Sequence, residues 1–405
     1  MKMKKYKALI LGAGYRGRAY AAYADAHPDE LEIVGVADPV RAETIRAPKY
    51  WKKWEDCLRD RPEADFVVVA LPDTLHFAAA VMAMEAGYHL LLEKPIAVTR
   101  EECEKLEEMA AERELLVVVG HVLRYSAYYA HIKAIIDSGE IGEVVSICHQ
   151  ESTGYTKIAH SYCRGIFSVL EKSSPAILNK CSHDFDLFDW WLGKKCRRVS
   201  SFGSLYLFRP ENAPKGAAPR CTACDPATEA KCPWSAKKMY LKSQALRYLF
   251  PDQSDAAMEK VVNETPFGRC VYHCDNNVMD HQVVNLEFEG GTTVSHVMSG
   301  FTERNARSTR ISGTMGEIVG DGENLSVFRF NGGDDKASTP QRVAIPNASR
   351  HGGGDFNIVT ELLRALDRGN PEEYRSIFAD ALASHYMAFA AEESRAAGGK
   401  VIEFD

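Results

Sequence analysis

The start of the chain contains a glycine-rich segment and an acidic residue whose spacing suits nucleotide binding. The segment Gly12-Ala13-Gly14-Tyr15-Arg16-Gly17 follows a short apolar run and precedes an alanine-rich stretch with helical character. A second apolar run ends at Asp38, about 20 residues beyond Gly17. This order of strand, glycine turn, helix, strand and acidic residue is typical of a dinucleotide-binding site, and a glycine-rich surface turn is the plainer alternative.

Each residue of this pattern has a physical role in binding a dinucleotide. Gly12 allows a tight turn, Gly14 lets the backbone approach a pyrophosphate, and Gly17 lets helix and strand pack closely. The helix N-terminus offers N–H groups and partial positive charge to the phosphates. Asp38 is placed to accept hydrogen bonds from a ribose diol, and its charge would repel a 2′-phosphate. The pattern therefore favours NAD over NADP.

Three cysteines in the middle of the chain have a spacing that occurs in metal sites: Cys221, Cys224 and Cys232. A tetrahedral thiolate site needs four ligands, and the candidates for the fourth are Cys270, Cys274 and His273. A structural zinc ion and free thiols in a reducing compartment are both consistent with this pattern. An iron–sulfur cluster is a further alternative, although the sequence does not identify its fourth thiolate.

Two other polar clusters are candidates for substrate contacts. His160, Tyr162 and Arg164 lie close together, and an exposed loop with these side chains would recognise a sugar hydroxyl or an anionic group. An ordinary polar loop is the alternative. In the second cluster, His351 and Asp355 flank three glycines. We expect Asp355 mainly to cap the following helix and secondarily to contact substrate.

The elements that must position these residues fall into two patterns, which predict an α/β protein. Up to about residue 125, short apolar strands alternate with amphipathic helices, as in a doubly wound parallel sheet of the Rossmann type. From 126 to 405, longer strand-like segments predict an α+β domain with a large, mostly antiparallel sheet. A segment at about 209–270, rich in Pro, Ala, Lys and Cys, interrupts this second domain as an insertion.

Composition limits the class of protein. The chain has 405 residues, of which 45% are hydrophobic and 26% charged, as in ordinary globular proteins. The net charge of -7 argues against a nucleic-acid partner, and no apolar run is long enough for a membrane span. The 11 cysteines are an odd number in a chain of this size, which argues against a disulfide framework. We expect a cytoplasmic enzyme.

Several further motifs together resemble those of the Gfo/Idh/MocA family of glucose–fructose oxidoreductase, inositol dehydrogenase and relatives. The most specific are Leu71-Pro72-Asp73-Thr74-Leu75-His76 and Glu93-Lys94-Pro95. The others are Gly120-His121-Val122-Leu123-Arg124-Tyr125, Asp137-Ser138-Gly139-Glu140-Ile141-Gly142 and His183-Asp184-Phe185-Asp186-Leu187. The resemblance covers essentially the whole chain, and it does not identify a substrate.

The resemblance implies a nicotinamide cofactor held between the two domains and a sugar, cyclitol or derivative as substrate. It also implies pairing through the open sheet into a homodimer or homotetramer. The glycine-rich segment and Asp38 would bind the cofactor together with further residues from the family motifs. These further residues are Leu71, Pro72, Asp73, His76, Glu93, Lys94 and Arg124.

By the same resemblance, Lys94 supplies positive charge at the reacting hydroxyl, Glu93 lies near the nicotinamide ribose, and His183 is the candidate general base. One position departs from the family pattern. Members often carry an aspartate four residues before the histidine, where this chain has Asn179 followed by Lys180. Asparagine cannot supply a negative charge to the base. Either Lys180 enters the site in a different role, or the chemistry differs from plain alcohol oxidation.

Three functions follow from this reading. The first is an NAD-dependent dehydrogenase of a sugar or cyclitol hydroxyl. The second is a glycoside hydrolase that uses transient ring oxidation, elimination, water addition and re-reduction, as is known among relatives of the family. The third is a non-catalytic NAD-binding regulator, which the retention of Lys94 and His183 disfavours.

Overall fold

The computed structural model describes residues 4–243, 246–250, 252–330, 341–343 and 350–404. The first sheet contains six parallel strands in the order β3-β2-β1-β4-β5-β6. The strands are β1 (Tyr6–Leu11), β2 (Leu31–Ala37), β3 (Tyr50–Trp51), β4 (Phe66–Val69), β5 (His89–Leu92) and β6 (Val117–Val119). All four residues of β4 are buried, as expected where helices cover both faces of a parallel sheet.

Four helices connect these strands: α1 (Tyr15–Ala26), α2 (Trp54–Asp60), α3 (His76–Glu85) and α4 (Arg100–Glu112). The Thr99 hydroxyl accepts a hydrogen bond from the Glu102 N–H at 3.2 Å and so caps α4. The predicted doubly wound N-terminal sheet is confirmed. The fold places the ends of β1, β2, β4, β5 and β6 along one edge, which is where ligands bind in such sheets.

The second sheet has nine strands in the order β14-β13-β12-β11-β7-β10-β9-β8-β15. Only β7 and β10 pair in parallel, so the predicted mostly antiparallel sheet is confirmed. Its strands are β7 (Val144–Ser152), β8 (Cys196–Ser204), β9 (His281–Phe288), β10 (Thr293–Ser299), β11 (Ala306–Gly313), β12 (Gly316–Gly320), β13 (Leu325–Arg329), β14 (Gln341–Val343) and β15 (Ile402–Glu403). Strand β8 ends at Ser204, and beyond it the Asp280 carboxylate accepts the N–H groups of Tyr206 and Leu207.

Helix α5 (Ala127–Asp137) lies between the last strand of the first sheet and the first strand of the second, and α6 (Tyr155–Lys157) and α7 (Ala176–Leu192) lie between β7 and β8. The chain continues from α6 into a π-helical segment, Ile158–Cys163. Helix α7 buries Phe185, Phe188 and Trp191 in the core of the second domain. The insertion between β8 and β9 contains α8 (Pro226–Lys231) and α9 (Asp255–Glu264).

The last two helices, α10 (Gly354–Arg368) and α11 (Pro371–Ala396), return to the first domain. Ile358 and Leu362 of α10 share one Rossmann core with β1, and Phe378 of α11 enters the other. Further along α11, Met387 and Ala391 belong to the core of the second domain. A division of the chain at residue 125 therefore omits this return. Among the described residues, the structure contains no helix with the length and apolarity of a membrane span.

Candidate functional site

The glycine-rich turn lies at the carboxyl end of β1 and has the geometry that close approach of a ligand requires. Gly12 has a φ of +94°, and a Cβ there would meet the Ala70 carbonyl oxygen at 2.3 Å. A Cβ on Gly17 would lie 2.0 Å from the Gly12 carbonyl oxygen. By contrast, no heavy atom lies within 4 Å of a Cβ built on Gly14. The turn is thus closed on the protein side and open in front of α1, which fits a pyrophosphate.

Asp38 follows β2 and faces the same turn. One carboxylate oxygen accepts the Ala13 N–H at 2.9 Å, and the other accepts the N–H groups of Val40 and Arg41 at 2.9 and 2.7 Å. These three bonds fix the carboxylate beside the turn, in the orientation that a ribose diol would meet.

Arg16, from the first turn of α1, is at the centre of a charged network. Its Nε donates to Glu93 at 2.6 Å, and its Nη1 donates to Asp355 at 2.7 Å. The Tyr20 hydroxyl also donates to Glu93, at 2.5 Å. Although burial opposes ionisation, the charge of Arg16 and these hydrogen bonds lower the pKa of Glu93. The network joins the glycine turn to the Glu93-Lys94-Pro95 segment and to α10.

The second polar cluster from the sequence lies on this cofactor side of the site. His351 Nδ1 is 3.0 Å from the Asp355 carboxylate, which in turn binds Arg16. The prediction that Asp355 caps α10 is wrong. The capping position is Gly353, with a φ of +85° and no side-chain cap, and Asp355 lies inside the first turn. Its negative charge there stabilises the helix N-terminus.

The loop after β4 contains Leu71, Pro72, Asp73 and His76, and it packs on the loop after β5. The His76 ring lies between two carbonyl oxygens, with Nε2 2.8 Å from Leu71 and Nδ1 2.6 Å from Pro95. His76 therefore holds the two motif loops against each other. Pro72 is exposed, whereas the Asp73 side chain is buried and faces the second domain.

Lys94, Asp73 and Tyr162 converge on Asn179. Lys94 Nζ donates to the Asn179 backbone carbonyl at 2.5 Å, and the Asn179 side-chain amide donates to Asp73 at 2.6 Å. The Tyr162 hydroxyl donates to the Asn179 amide oxygen at 2.7 Å. Burial lowers the pKa of Lys94, and the negative charges of Asp73 and Glu93 oppose this shift. Asp73, from the same domain as Lys94, thus places a carboxylate near the ammonium group and also reaches Asn179 of the second domain.

His183 lies one helical turn after Asn179 on α7, so both side chains face the same side of the helix. Among the described residues, its Nδ1 has no hydrogen-bond partner. Burial, followed by the positive charge of Lys94, holds the pKa of His183 well below its usual range. The imidazole is therefore neutral near neutral pH and is able to accept a proton.

Behind His183, α7 is tied to the loop after β6. The His121 ring centroid is 5.8 Å from that of His183, and His121 Nδ1 is 3.1 Å from Asp186. Arg124 pairs with the same carboxylate at 2.6 Å. Although burial opposes it, the charge of Arg124 lowers the pKa of Asp186 to about 2. The Arg124 guanidinium thus orients α7 relative to the first domain.

Two further positively charged side chains, Lys180 and Arg307, lie beside the site. Both bind Glu151, Lys180 Nζ at 2.8 Å and Arg307 Nη2 at 2.9 Å. Arg307 Nε also donates to Asp184 at 2.5 Å, and Asp184 lies beside the buried rings of His149 and His296. Neither Glu151 nor Arg307 belongs to a motif that the sequence reveals.

Lys157 of α6 is another group that the sequence analysis missed. Burial, followed by the charges of Lys180 and Lys94, lowers the pKa of Lys157 to about 8. The structure therefore brings Lys94, Lys157 and Lys180 near one another from three separate segments of the chain. An isolated lysine between Thr156 and Ile158 gives no signal of this in the sequence.

The prediction of an exposed recognition loop at His160–Arg164 is wrong, because the segment is helical and buried. The His160 ring bonds the Tyr240 hydroxyl at 2.9 Å and stacks on Phe267. Arg164 donates to the carbonyl oxygens of Arg269 and Trp234 at 2.7 and 2.6 Å. Residues of the insertion cover both side chains. Tyr162 is the member of this cluster that faces Asn179.

The four cysteines that the sequence nominated for a metal line one small cavity in the insertion: Cys221, Cys224, Cys232 and Cys270. Cys274, the alternative fourth ligand, does not line it, and its thiol instead donates to the Cys270 carbonyl oxygen at 3.2 Å. This cavity is distinct from the pocket of Lys94 and His183.

Comparison with known proteins supports this arrangement. The model of the Gfo/Idh/MocA oxidoreductase family, NAD-binding Rossmann fold, matches residues 6–121. The model of its C-terminal alpha/beta domain matches residues 133–401. In a crystal structure of levoglucosan dehydrogenase with NADH and levoglucosan, 99% of each chain superposes at a TM-score of 0.74 and 17% identity, which establishes the shared fold.

Two curated relatives illustrate the range of the family. A Bacillus subtilis protein named as an oxidoreductase, YteT, is 24% identical over 331 residues, which is 76% of each chain. The 2,7-anhydro-N-acetylneuraminate hydratase of Mediterraneibacter gnavus is 31% identical over 204 residues, or 50% of this chain and 53% of the relative. The match thus spans about half the length of the hydratase. Because the two domain models together match nearly the whole chain, this protein belongs to the Gfo/Idh/MocA family of NAD-binding oxidoreductases.

Proposed function

We propose that this protein is an NAD-dependent oxidoreductase that acts on a secondary hydroxyl of a sugar, a cyclitol or a derivative of these. The observation that carries the proposal is that Lys94 and His183 lie close enough for the charge of Lys94 to lower the pKa of His183. Lys94 Nζ is held on the Asn179 carbonyl at 2.5 Å, and His183 follows one turn later on the same helix.

The residues present fit a dinucleotide. The opening at Gly14 and the N-terminus of α1 would receive the pyrophosphate, and Asp38 would bind the adenosine ribose. Glu93, held by Arg16, lies between the turn and Lys94, where the nicotinamide ribose would lie. When bound, NAD supplies the hydride acceptor.

The protein side chains manage the proton and the charge. The Lys94 ammonium would stabilise negative charge that develops on the substrate oxygen, and the neutral His183 imidazole would accept the hydroxyl proton. Asn179 cannot supply the carboxylate that relatives often have at this position. Its amide instead binds Asp73, whose charge favours the protonated form of Lys94.

A redox-neutral cleavage or hydration of a sugar derivative is the second candidate function. Such a reaction needs an acid or base beyond the pair that a dehydrogenase uses. Lys157 offers one, because its lowered pKa of about 8 lets it exchange a proton near neutral pH. The similarity to the hydratase of M. gnavus also supports this candidate. The Lys94, Lys157 and Lys180 ammonium groups further suggest a substrate that carries a carboxylate.

One experiment separates the two candidates. Purified protein is incubated with NAD and a panel of free sugars, cyclitols, sugar acids and aryl glycosides, while NADH and released phenol are followed together. A dehydrogenase accumulates NADH in proportion to product, whereas the redox-neutral reaction releases phenol without net NADH. Absence of NAD binding would contradict both candidates.

Replacement of Lys94 tests its role directly. Lys94→Met should lower kcat by about 100- to 10,000-fold, because the positive charge at the reacting oxygen is lost. NAD affinity, measured by calorimetry, should change much less. Lys195, which is exposed just before β8, provides a matched control. Lys195→Met should leave both kcat and the NAD affinity unchanged. Full activity of Lys94→Met on a confirmed substrate would contradict the proposed mechanism.

A further inference from the structure

Two paired segments of the insertion bring four cysteines to one cavity. The backbone of Cys221 donates to the Gly268 carbonyl at 3.0 Å, and that of Cys270 donates to the Pro219 carbonyl at 2.9 Å. This pairing places Cys221 and Cys270 side by side, although they lie far apart in the sequence. Cys224 is in the turn that follows Cys221, and Cys232 follows α8. All four side chains line the cavity together with apolar residues such as Pro214, Ala217 and Tyr272.

Two donors contact the sulfur of Cys221 at this cavity. The Arg164 guanidinium lies 3.7 Å from Cys221 Sγ, and the Ala236 N–H lies 3.4 Å from the same sulfur. A buried cation and a backbone donor both stabilise a sulfur that carries negative charge. A metal ion would bind the four sulfurs as thiolates.

All eleven cysteines are unpaired in the structure, so a disulfide does not account for the cluster. Cys221 and Cys270 are the two buried members of the four, with 6% and 8% of their surface exposed. The insertion has little regular structure, and a metal ion bound by several of its cysteines would cross-link its segments. The spacing Cys-x2-Cys, followed by two more cysteines, is typical of zinc and iron–sulfur sites.

We propose that Cys221, Cys224, Cys232 and Cys270 form a four-thiolate metal centre that fixes the fold of the insertion. Binding would release the thiol protons to solvent and leave four sulfur ligands on the metal. The metal is of the thiolate-binding class, either one zinc ion or an iron–sulfur cluster. In the part of the chain that the structure describes, no three of these sulfurs lie mutually within 4.8 Å. A single zinc ion with bonds of about 2.3 Å would draw them closer, and a cluster of several iron ions would hold them further apart.

The centre would also support the pocket, although the proposal does not depend on the reaction. Arg164 contacts Cys221 and directly follows the π-helical segment that carries Tyr162. Tyr162 in turn donates to Asn179. Loss of the metal should therefore loosen the wall of the pocket that holds Asn179, in addition to destabilising the insertion.

Metal analysis of the purified full chain tests the proposal. The protein is expressed with zinc and iron in the medium, purified without oxygen, and assayed for zinc, iron and acid-labile sulfide. We expect either about one zinc ion per chain or several iron ions with a similar amount of sulfide, and visible absorbance identifies the cluster. Either result supports a four-thiolate centre and identifies its metal. Absence of both metals would overturn the proposal.

Serine variants assign the ligands. Cys221→Ser, Cys224→Ser, Cys232→Ser and Cys270→Ser should each lose most of the metal and melt at a lower temperature. Cys274→Ser and the exposed Cys148→Ser are matched controls that should retain it. Metal retention in the four ligand variants would overturn the proposal, and its loss in Cys274→Ser alone would overturn the assignment of Cys270. If a variant fails to fold, release of metal from the wild-type protein by a thiol-modifying mercurial, detected with a chromogenic chelator, gives the same test.

Discussion

Asn179 is the residue through which the two domains meet at the proposed site. Its backbone carbonyl accepts from Lys94, and its side-chain amide donates to Asp73 and accepts from Tyr162. An aspartate, which relatives often have here, would place two carboxylates at the present 2.6 Å contact between the Asn179 amide nitrogen and Asp73. Two carboxylates so close share a proton, which raises the pKa of the pair.

We therefore expect Asn179→Asp to destabilise the protein in a pH-dependent way. A pKa raised on folding means that stability is retained at low pH and lost as the pH rises through the raised value. The melting temperature of the variant should match the wild type in acid and fall below it near neutral pH. The double variant Asp73→Asn/Asn179→Asp, which exchanges the partners, should recover most of the loss. A deficit that does not vary with pH would contradict this account.

His183 should set an unusually acidic limit to activity. Because burial and the charge of Lys94 lower its pKa, the base stays neutral at a pH where an ordinary histidine, with a pKa near 6.5, would be protonated. On the acid side, kcat/KM should therefore begin to fall only at a pH below about 6.5. His183→Asn should lower kcat/KM by about 100- to 10,000-fold, and the exposed His131→Asn should leave the profile unchanged. A wild-type acid limb at or above pH 6.5 would contradict the role given to His183.

At the scale of elements, Arg16 connects α1, the loop after β5 and α10 through Glu93 and Asp355. Arg16→Met would leave the buried Glu93 carboxylate without its cation, which should cost about 3 kcal/mol in the free energy of unfolding. Urea denaturation measures this loss. Arg16→Met/Glu93→Gln should recover part of it, because position 93 no longer carries an uncompensated charge. In contrast, Arg59→Met removes an exposed pair with Asp56 and should cost at most about 1 kcal/mol.

An element could be predicted where its pattern of apolar and polar residues matches its burial in the structure. Strands such as β5 and β6 are buried on both faces, and their short continuous apolar runs match the predicted alternation of strands and helices. The sequence analysis assigned no helix at α7, although this helix carries Asn179, Lys180 and His183. Those polar residues are buried toward the site and interrupt the apolar periodicity on which such predictions depend.

The cluster at His160–Arg164 was misjudged for the opposite reason. Polar side chains usually indicate an exposed segment, but here the insertion covers them and supplies their partners. Those partners, Tyr240 and Trp234, lie far along the chain, so no local pattern reveals the contact. The placement of Lys157 and Arg307 beside the site is likewise a property of tertiary structure. Local motifs predicted the cofactor side of the site, and they could not predict the charged groups added by the second domain.

At the scale of the whole molecule, the outer face of the nine-stranded sheet is the proposed self-association surface. It presents exposed apolar side chains on the two strands that flank β9, including Phe202 of β8 and Val297 of β10, which are 55% and 37% exposed. We expect light scattering to give a multiple of the chain mass. Phe202→Asp/Val297→Asp should yield monomers, because buried unpaired charges oppose association. The exposed Ile166→Asp, in another part of the surface, should not change the mass.

The contacts at Asn179 also bear on how a coenzyme enters and leaves the protein. Separation of the two domains at Asn179 would break two hydrogen bonds to charged groups, each worth about 1.5–3 kcal/mol. The adenosine end near Asp38 has no such tie to the far half among the residues described. We therefore expect a bound coenzyme to be released from its adenosine end first, with the reactive ring the last part to depart.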